Sequence, residues 1–386
     1  MQYPFSSLSQ TLKGSPTVRL AEKAQTLKDA GVDIVDLTIG EPDFPTPAHI
    51  SEAAYRAAQA GNTKYTNSRG ILPLRKAIAE KLQRDYSLSY DANTEIIVTP
   101  GGKQAVVYVI QAISNPGDEV ICIEPCWVGY EGSIAMSGGR YIGVPTYESD
   151  SFCIDIDRLR AAVTPKTKLL IINSPSNPTG KILSKREIES ICSVCNERNL
   201  MLLTDDIYEK ILYDNHMFVP AAGLPGMRDR TIILNGFSKA YSMTGWRLAY
   251  LAAHKQIISE INKLQQLSAT CPSSVSQWAG VEALNGDQSA IQVMTSAYAV
   301  RREIVVQGFT KHGLPCFRPE GAFYAWINVK KLGMNSVAAC EYILDKCNIA
   351  AVPGSAFGIS GEGYIRASFA TSEENLQKAI KNLENL

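Results

Sequence analysis

Ser238 and Lys239 stand side by side within Leu234–Tyr250, and Arg247 follows eight residues after the lysine. The preceding run Thr231-Ile-Ile-Leu234 has the short β-branched character of a buried strand. Gly236, Gly245 and the small polar residues between them suit an irregular loop. A lysine delivered at a strand end, with a hydroxyl and a guanidinium nearby, matches the needs of a phosphorylated aldehyde. The amine can form an imine, and the other two groups can hold the phosphate. A bare Ser-Lys pair is common on surface loops, so the weight rests on the longer run S-K-x-x-x-M-T-G-W-R.

Other chemistry-bearing groups recur just after apolar runs. Pro100-Gly-Gly-Lys-Gln-Ala105 precedes an apolar stripe at 105, 106, 109, 110 and 113, so glycine-exposed amides open a helix there and form an anion site. Asn173-Ser-Pro-Ser-Asn-Pro-Thr-Gly180 holds two X-Pro steps and a glycine, which make a rigid extended loop. Leu203-Thr-Asp-Asp-Ile-Tyr208 places Asp205 three residues before Tyr208. A carboxylate of this kind can keep a pyridine nitrogen protonated, and the positive ring then accepts electrons. Asp206 reads as a helix-start carboxylate.

Taken together these runs resemble the fold type I, pyridoxal-phosphate-dependent aminotransferases of class I/II, and among them the prokaryotic aspartate aminotransferases. The resemblance extends from Gly40 to Arg366, in the right order. It implies pyridoxal 5'-phosphate as cofactor and Lys239 as the Schiff-base lysine and catalytic base. Gly102, Lys103, Gln104, Ser238 and Arg247 become the phosphate residues, together with Tyr65 (from K-Y-T-N-S-R-G) of a neighbouring subunit. Trp127, from E-P-C-W-V, would stack on the ring, Asn177 and Tyr208 would meet its phenolic oxygen, and Asp205 its nitrogen. Gly40 (L-T-I-G-E-P-D-F) and Arg366 (R-A-S-F) would receive the substrate α-carboxylate beside Trp127 and Asn177, a task suited to guanidinium geometry. Lys103 serves either the phosphate or the distal carboxylate of an acidic substrate. Pro319-Glu-Gly-Ala-Phe-Tyr324 resembles a family strand start. Cys126 stands where relatives often carry tyrosine, which either widens the pocket or is a packing variant. Ala249 replaces a glycine, leaving slightly less room near the phosphate loop.

The elements that must carry these residues read as an α/β fold. Short apolar runs at 95–99, 119–123, 168–173, 201–204, 231–234 and 248–251 alternate with amphipathic stretches. They predict a mostly parallel sheet covered on both faces, with ligands at the carboxyl ends of its strands. Further expectations are helices over 18–31, 49–60 and 72–85, and strands over 33–38 and 363–370. The resemblance implies a seven-stranded sheet in a large domain at 46–285, and a smaller α+β domain built from 16–45 and 286–386. Residues 1–15 form an N-terminal arm.

Lys+Arg and Asp+Glu both number 38, so the formal charge is zero and nothing marks a nucleic-acid or anionic-membrane partner. No apolar run reaches spanning length, and no basic start precedes one, so a cytoplasmic enzyme is expected. Nine cysteines do not form a disulfide framework, and Cys192 and Cys195 sit at helical spacing as buried thiols. The histidines match no metal-ligand spacing, so no metal is expected. The expected partners are an amino acid, a 2-oxo acid and a second copy of the chain. Lys103 argues for a dicarboxylic substrate such as aspartate or glutamate, whereas 267–272 holds no arginine for a distal carboxylate, which leaves tyrosine, phenylalanine, alanine or a specialised metabolite open. The alternative is the same scaffold redirected to elimination, cyclisation or oxygen-dependent oxidation, because only the fate of the carbanion differs.

Overall fold

The computed structural model describes residues 3–12 and 16–386. The first strand is the short β1 (Val35–Asp36). A sheet follows from β2 (Ile96–Thr99), β3 (Glu119–Glu124), β4 (Arg140–Pro145), β5 (Thr167–Asn173), β6 (Met201–Asp205), β7 (Thr231–Gly236) and β8 (Ala249–Ala252). Its seven strands run in the order β2-β8-β7-β6-β5-β3-β4. From β7 to β4 every pairing is parallel, and β8 lies antiparallel to both its neighbours. The central strands are buried on both faces, which is why their sequences are continuous apolar runs rather than alternations. β4 was not evident as a strand in the sequence. It lies at the sheet edge and most of it is only half-buried, so Arg140, Tyr141 and Gly143 break the apolar run.

Helices cover both faces. Gly102–Ile113 was expected to be amphipathic, yet Ala105 through Ile110 are all buried. It packs between the sheet and the helices Gly129–Met136 and Lys255–Ser268, so it has almost no solvent face to encode. Cys192 and Cys195 are buried in the helix Lys185–Arg198, and burial pushes both thiols up to about 12. They are inert helix thiols.

A second sheet contains β9 (Cys316–Phe317), β10 (Tyr324–Asn328), β12 (Val352–Pro353) and β13 (Tyr364–Ser368), in the antiparallel order β12-β13-β10-β9. β11 (Ile349–Ala350) pairs in parallel with β1, which draws the N-terminal segment onto this unit. Strand 33–38 is thus shorter than expected, and helix 18–31 runs from Pro16 to Asp29. The expected arm contains a short helix, Ser7–Thr11, with Tyr3, Phe5 and Leu8 exposed; residues 1, 2 and 13–15 lie outside the described residues.

The two sheets meet at a few tight backbone contacts. The Gly180 carbonyl accepts from the amides of Glu320 and Gly321, both at 2.9 Å. Gly180 has φ +72°, and a Cβ there would lie 2.5 Å from Pro319 Cβ. Both the left-handed conformation and the close approach require glycine. Gly180→Ala is expected to lower stability by about 2 kcal/mol or more and to reduce amino-group transfer. Thermal melting of wild type and variant checks this; equal melting temperatures would show that the junction yields freely.

Candidate active site

The carboxyl ends of β5, β6 and β7 and the segment 38–41 surround one cavity of about 540 Å³. Lys239 projects into it from the loop after β7, with Ser238 beside it. The Lys239 amine donates to the Gly40 carbonyl and lies 5.9 Å from the Tyr208 ring centre and 5.7 Å from that of Phe323. Burial, reinforced by the nearby Arg366 guanidinium, pulls the amine down to about 8. An amine so placed is a nucleophile and a base near neutral pH.

Asp205 ends β6, and its carboxylate is buried. It accepts from the Tyr130 hydroxyl at 2.7 Å and from the Ile207 amide at 3.4 Å. Burial pushes it up to about 6, with the Tyr130 hydrogen bond opposing that rise. The Tyr130 ring packs edge-on against Trp127, centroids 5.2 Å apart at 88°, so one tyrosine braces both the acid and the aromatic wall.

At one end of the cavity the helix Gly102–Ile113 begins with no side-chain cap, leaving its first amides and the positive end of its dipole available. Ser238 and Arg247 join Gly102 in the lining. Arg247 has φ +53° and donates to the Thr244 carbonyl at 2.9 Å. Its guanidinium lies so near Gly101 that a Cβ there would be 2.6 Å from Nη2. A phosphate would meet amides, a hydroxyl and a guanidinium here.

Across the cavity, Arg366 reaches in from β13. Its Nη1 donates to Asn177 Oδ1 at 3.1 Å and its Nη2 to the Thr38 carbonyl at 2.7 Å. Nε is buried with no hydrogen-bond partner. A buried guanidinium with a spare donor is costly unless an anion completes it. Lys103, exposed, stands at the cavity wall with Nζ 5.6 Å from the Trp127 ring centre.

The chain as a whole is similar to known proteins. The family model for aminotransferase class I and II matches residues 32–383. The chain belongs to the class I and II aminotransferases. It is 42% identical to an aspartate aminotransferase of Pyrococcus abyssi over 92% of each chain. It is 41% identical to an aspartate/prephenate aminotransferase of Thermus thermophilus over 96% of each. Its fold superposes on the structure of the Thermus thermophilus aspartate aminotransferase with maleate at a TM-score of 0.95, 40% identity and full coverage of both chains. As a member of this family it is a pyridoxal-phosphate-dependent enzyme that transfers amino groups. The uncapped helix start, the buried Asp205 and the buried Lys239 fit that cofactor in charge and placement.

Of the residues read from the sequence, Gly40, Gly102, Lys103, Trp127, Asn177, Asp205, Tyr208, Ser238, Lys239, Arg247 and Arg366 all line this aminotransferase cavity. Gln104 does not, and neither does Tyr65, which is 87% exposed on the surface of the single chain. Asp206 is no helix-start carboxylate. No helix begins there, and its side chain is buried on the opposite side of the sheet beside Tyr86 and Thr204. Cys126 and Ala249 do not line the cavity either. The Cys126 thiol meets the Tyr141 hydroxyl at 3.3 Å, and the Ala249 methyl packs over Gly236, so both are packing variants.

Sequence reasoning missed Tyr130, Thr38, Glu41, Thr244 and Phe357, and gave Tyr324 no role. The Tyr324 hydroxyl lies 2.8 Å from that of Tyr208 and donates to the Gly40 carbonyl at 3.4 Å. Glu41 accepts from Thr244 at 2.7 Å, closing segment 38–44 over the lysine. The only signal for Tyr324 was the P-x-G-A-F-Y run. Thr38 and Glu41 lie in the L-T-I-G-E-P-D-F run and Thr244 in the M-T-G-W-R run, which were read for other residues, while Tyr130 and Phe357 fall outside every quoted run.

In cofactor-free protein the rate of aldehyde capture should rise with pH and level off just above about 8, since burial and Arg366 favour the neutral Lys239 amine. Stopped-flow absorbance across the pH range measures it. A rate still climbing towards the usual lysine value of 10.5 would show that the amine is not perturbed.

Proposed function

We propose that this aminotransferase takes its amino group from a dicarboxylic donor, aspartate or glutamate, and passes it to a 2-oxo acid. The observation that carries this reading is the placement of two cations on one cavity: Arg366, buried with an unpartnered Nε, and Lys103 beside Trp127. One suits an α-carboxylate and the other a distal carboxylate. A structural neighbour that holds maleate, itself a dicarboxylate, supports it. The relatives' names give no support to elimination, cyclisation or oxidation as the outcome.

When bound, pyridoxal phosphate supplies the aldehyde for the imine and a ring that withdraws the electron pair left on the substrate Cα. The helix-start amides of Gly102, Lys103 and Gln104, with Ser238 and Arg247, would hold its phosphate, and Tyr65 would arrive from a second copy. Trp127 would cover its ring face, Asn177 and Tyr208 would face its phenolic oxygen, and Asp205 its ring nitrogen. Arg366 and Gly40 orient the substrate by its α-carboxylate. Lys239 Nζ then accepts the Cα proton and holds it for return. Glu41 and Thr244, joined across the opening, limit the access of water.

The same reading assigns 46–285 to a cofactor-binding domain and 16–45 with 286–386 to a smaller domain that closes the substrate side. It makes the working unit a homodimer, because Tyr65 needs a second copy to reach a phosphate. It also places the enzyme in the cytoplasm. No helix among the described residues is long and apolar enough to cross a membrane.

Lys103→Ala should raise KM for aspartate about tenfold or more while leaving alanine within about twofold, since only the distal carboxylate loses a charge. Arg366→Ala should lower kcat/KM for every amino acid by on the order of a thousandfold. Steady-state kinetics on both donors decide it. Equal losses for aspartate and alanine in Lys103→Ala would assign Lys103 to the phosphate and end the dicarboxylate argument.

A further inference from the structure

Behind the cavity, on the other side of the sheet, lies a buried polar cluster that the chemistry above does not use. Lys81 comes from the helix Leu72–Tyr86 and is only 3% exposed. Its Nζ is 2.8 Å from Glu209 Oε1 and 3.3 Å from Asp85 Oδ2. Lys210 reaches Asp85 at 2.8 Å, and Arg84 bonds Asp85 from the solvent side at 2.9 Å. Asn235 donates to the Tyr86 hydroxyl at 3.2 Å and to Glu209 Oε1 at 3.4 Å, while its own Oδ1 accepts from the Gly236 amide at 2.6 Å. Asp206, also buried, receives Tyr86 at 3.5 Å and Thr204 at 3.4 Å. The tyrosines Tyr241 and Tyr250 close the cluster from the elements around them.

Burying this many charged groups costs more than an exposed pair returns, so the arrangement is weak evidence for stability as its purpose. Its connections are more informative. Glu209 is the neighbour of Tyr208 in a tight turn, where the Glu209 amide donates to the Asp206 carbonyl and the Ile211 amide to the Tyr208 carbonyl. Asn235 is the last residue but one of β7, and Lys239 follows it four residues later. The Glu209–Asn235 contact therefore ties the tyrosine-bearing turn to the lysine-bearing loop. Lys81 is the buried cation that holds Glu209 in place.

We propose that Lys81 is a positioning residue for the reaction: through Glu209 and Asn235 it sets where the Tyr208 phenol stands relative to the Lys239 amine. The inference rests on the roles proposed for Tyr208 and Lys239. Burial, with Glu209 and Asp205 nearby, raises the Asp206 carboxyl well above the ordinary carboxylate range.

The test uses the cofactor-loaded enzyme and the variants Lys81→Met and Lys81→Arg. Three quantities are read: the pH titration of the visible absorbance band of the lysine-bound cofactor, the single-turnover rate with aspartate, and the melting temperature. Lys81→Met should move the midpoint of the titration by roughly half a pH unit or more. It should slow the single turnover about tenfold while aspartate affinity stays within about threefold, because Arg366 and Lys103 are untouched. Lys81→Arg, which keeps the cation, should recover most of both.

A Lys81→Met enzyme that melts lower yet keeps the wild-type titration and turnover would overturn the proposal and leave the cluster as packing. If Lys81→Met does not fold, Glu209→Gln removes the same ion pair while keeping an acceptor for Asn235, and a wild-type titration there overturns it equally. Failure of the proposed function looks different, since wild-type protein would then give no lysine-dependent band or no turnover with any amino acid.

Discussion

A buried carboxylate and a buried amine share one cavity, and the rest of the structure serves to keep both there. Asp205 left alone at its depth would take up a proton, and Lys239 would lose one. Tyr130 and the Ile207 amide counter the first tendency, while Arg366 strengthens the second. The result is an anion poised just below neutrality and a base poised just above it. The base is in the range where proton transfer near neutral pH is efficient.

The parallel sheet makes this arrangement possible. Parallel strands release their loops on one edge, so β5, β6 and β7 present Asn177, Asp205 and Lys239 to the same space. The second sheet supplies what the first cannot: a guanidinium arriving from the opposite side. Arg366 is anchored to Thr38 of the N-terminal segment and to Asn177 of the large sheet's loop, so its position depends on three distant parts of the chain. Backbone contacts such as Cys126 to Phe357 and Ser368 to Leu37 hold those parts together. The cost of burying the guanidinium is met only when all of them are in place.

Much of this was legible in the sequence. The apolar runs gave six of the seven sheet strands, because a strand buried on both faces must be written in β-branched and aliphatic residues. β4 escaped because an edge strand need not be. The helix after Gly101 was placed correctly, but its stripe proved to be an all-round buried surface, which periodicity does not distinguish from a one-sided one. Asp206 was misread because adjacent residues in a strand point to opposite faces, and only the packing of the helix Leu72–Tyr86 shows that the far face is closed. Tyr130 had no local signal and Tyr324 only the P-x-G-A-F-Y run, which gave it no role: a phenol becomes functional through what it touches, and both partners are far away in the chain.

By itself the sequence determined the family and the cofactor chemistry and singled out one candidate lysine, because those readings depend on residue types held at short spacings within single loops. The tertiary structure alone decided which acid faces the cavity and which is turned away, which donors on Arg366 remain unspent, and how far the amine is shifted from its ordinary value. Those properties arise from burial and from charges brought together across long chain separations. Electrostatic effects of that kind depend on distance in space and on the exclusion of water, neither of which is written in the order of the residues.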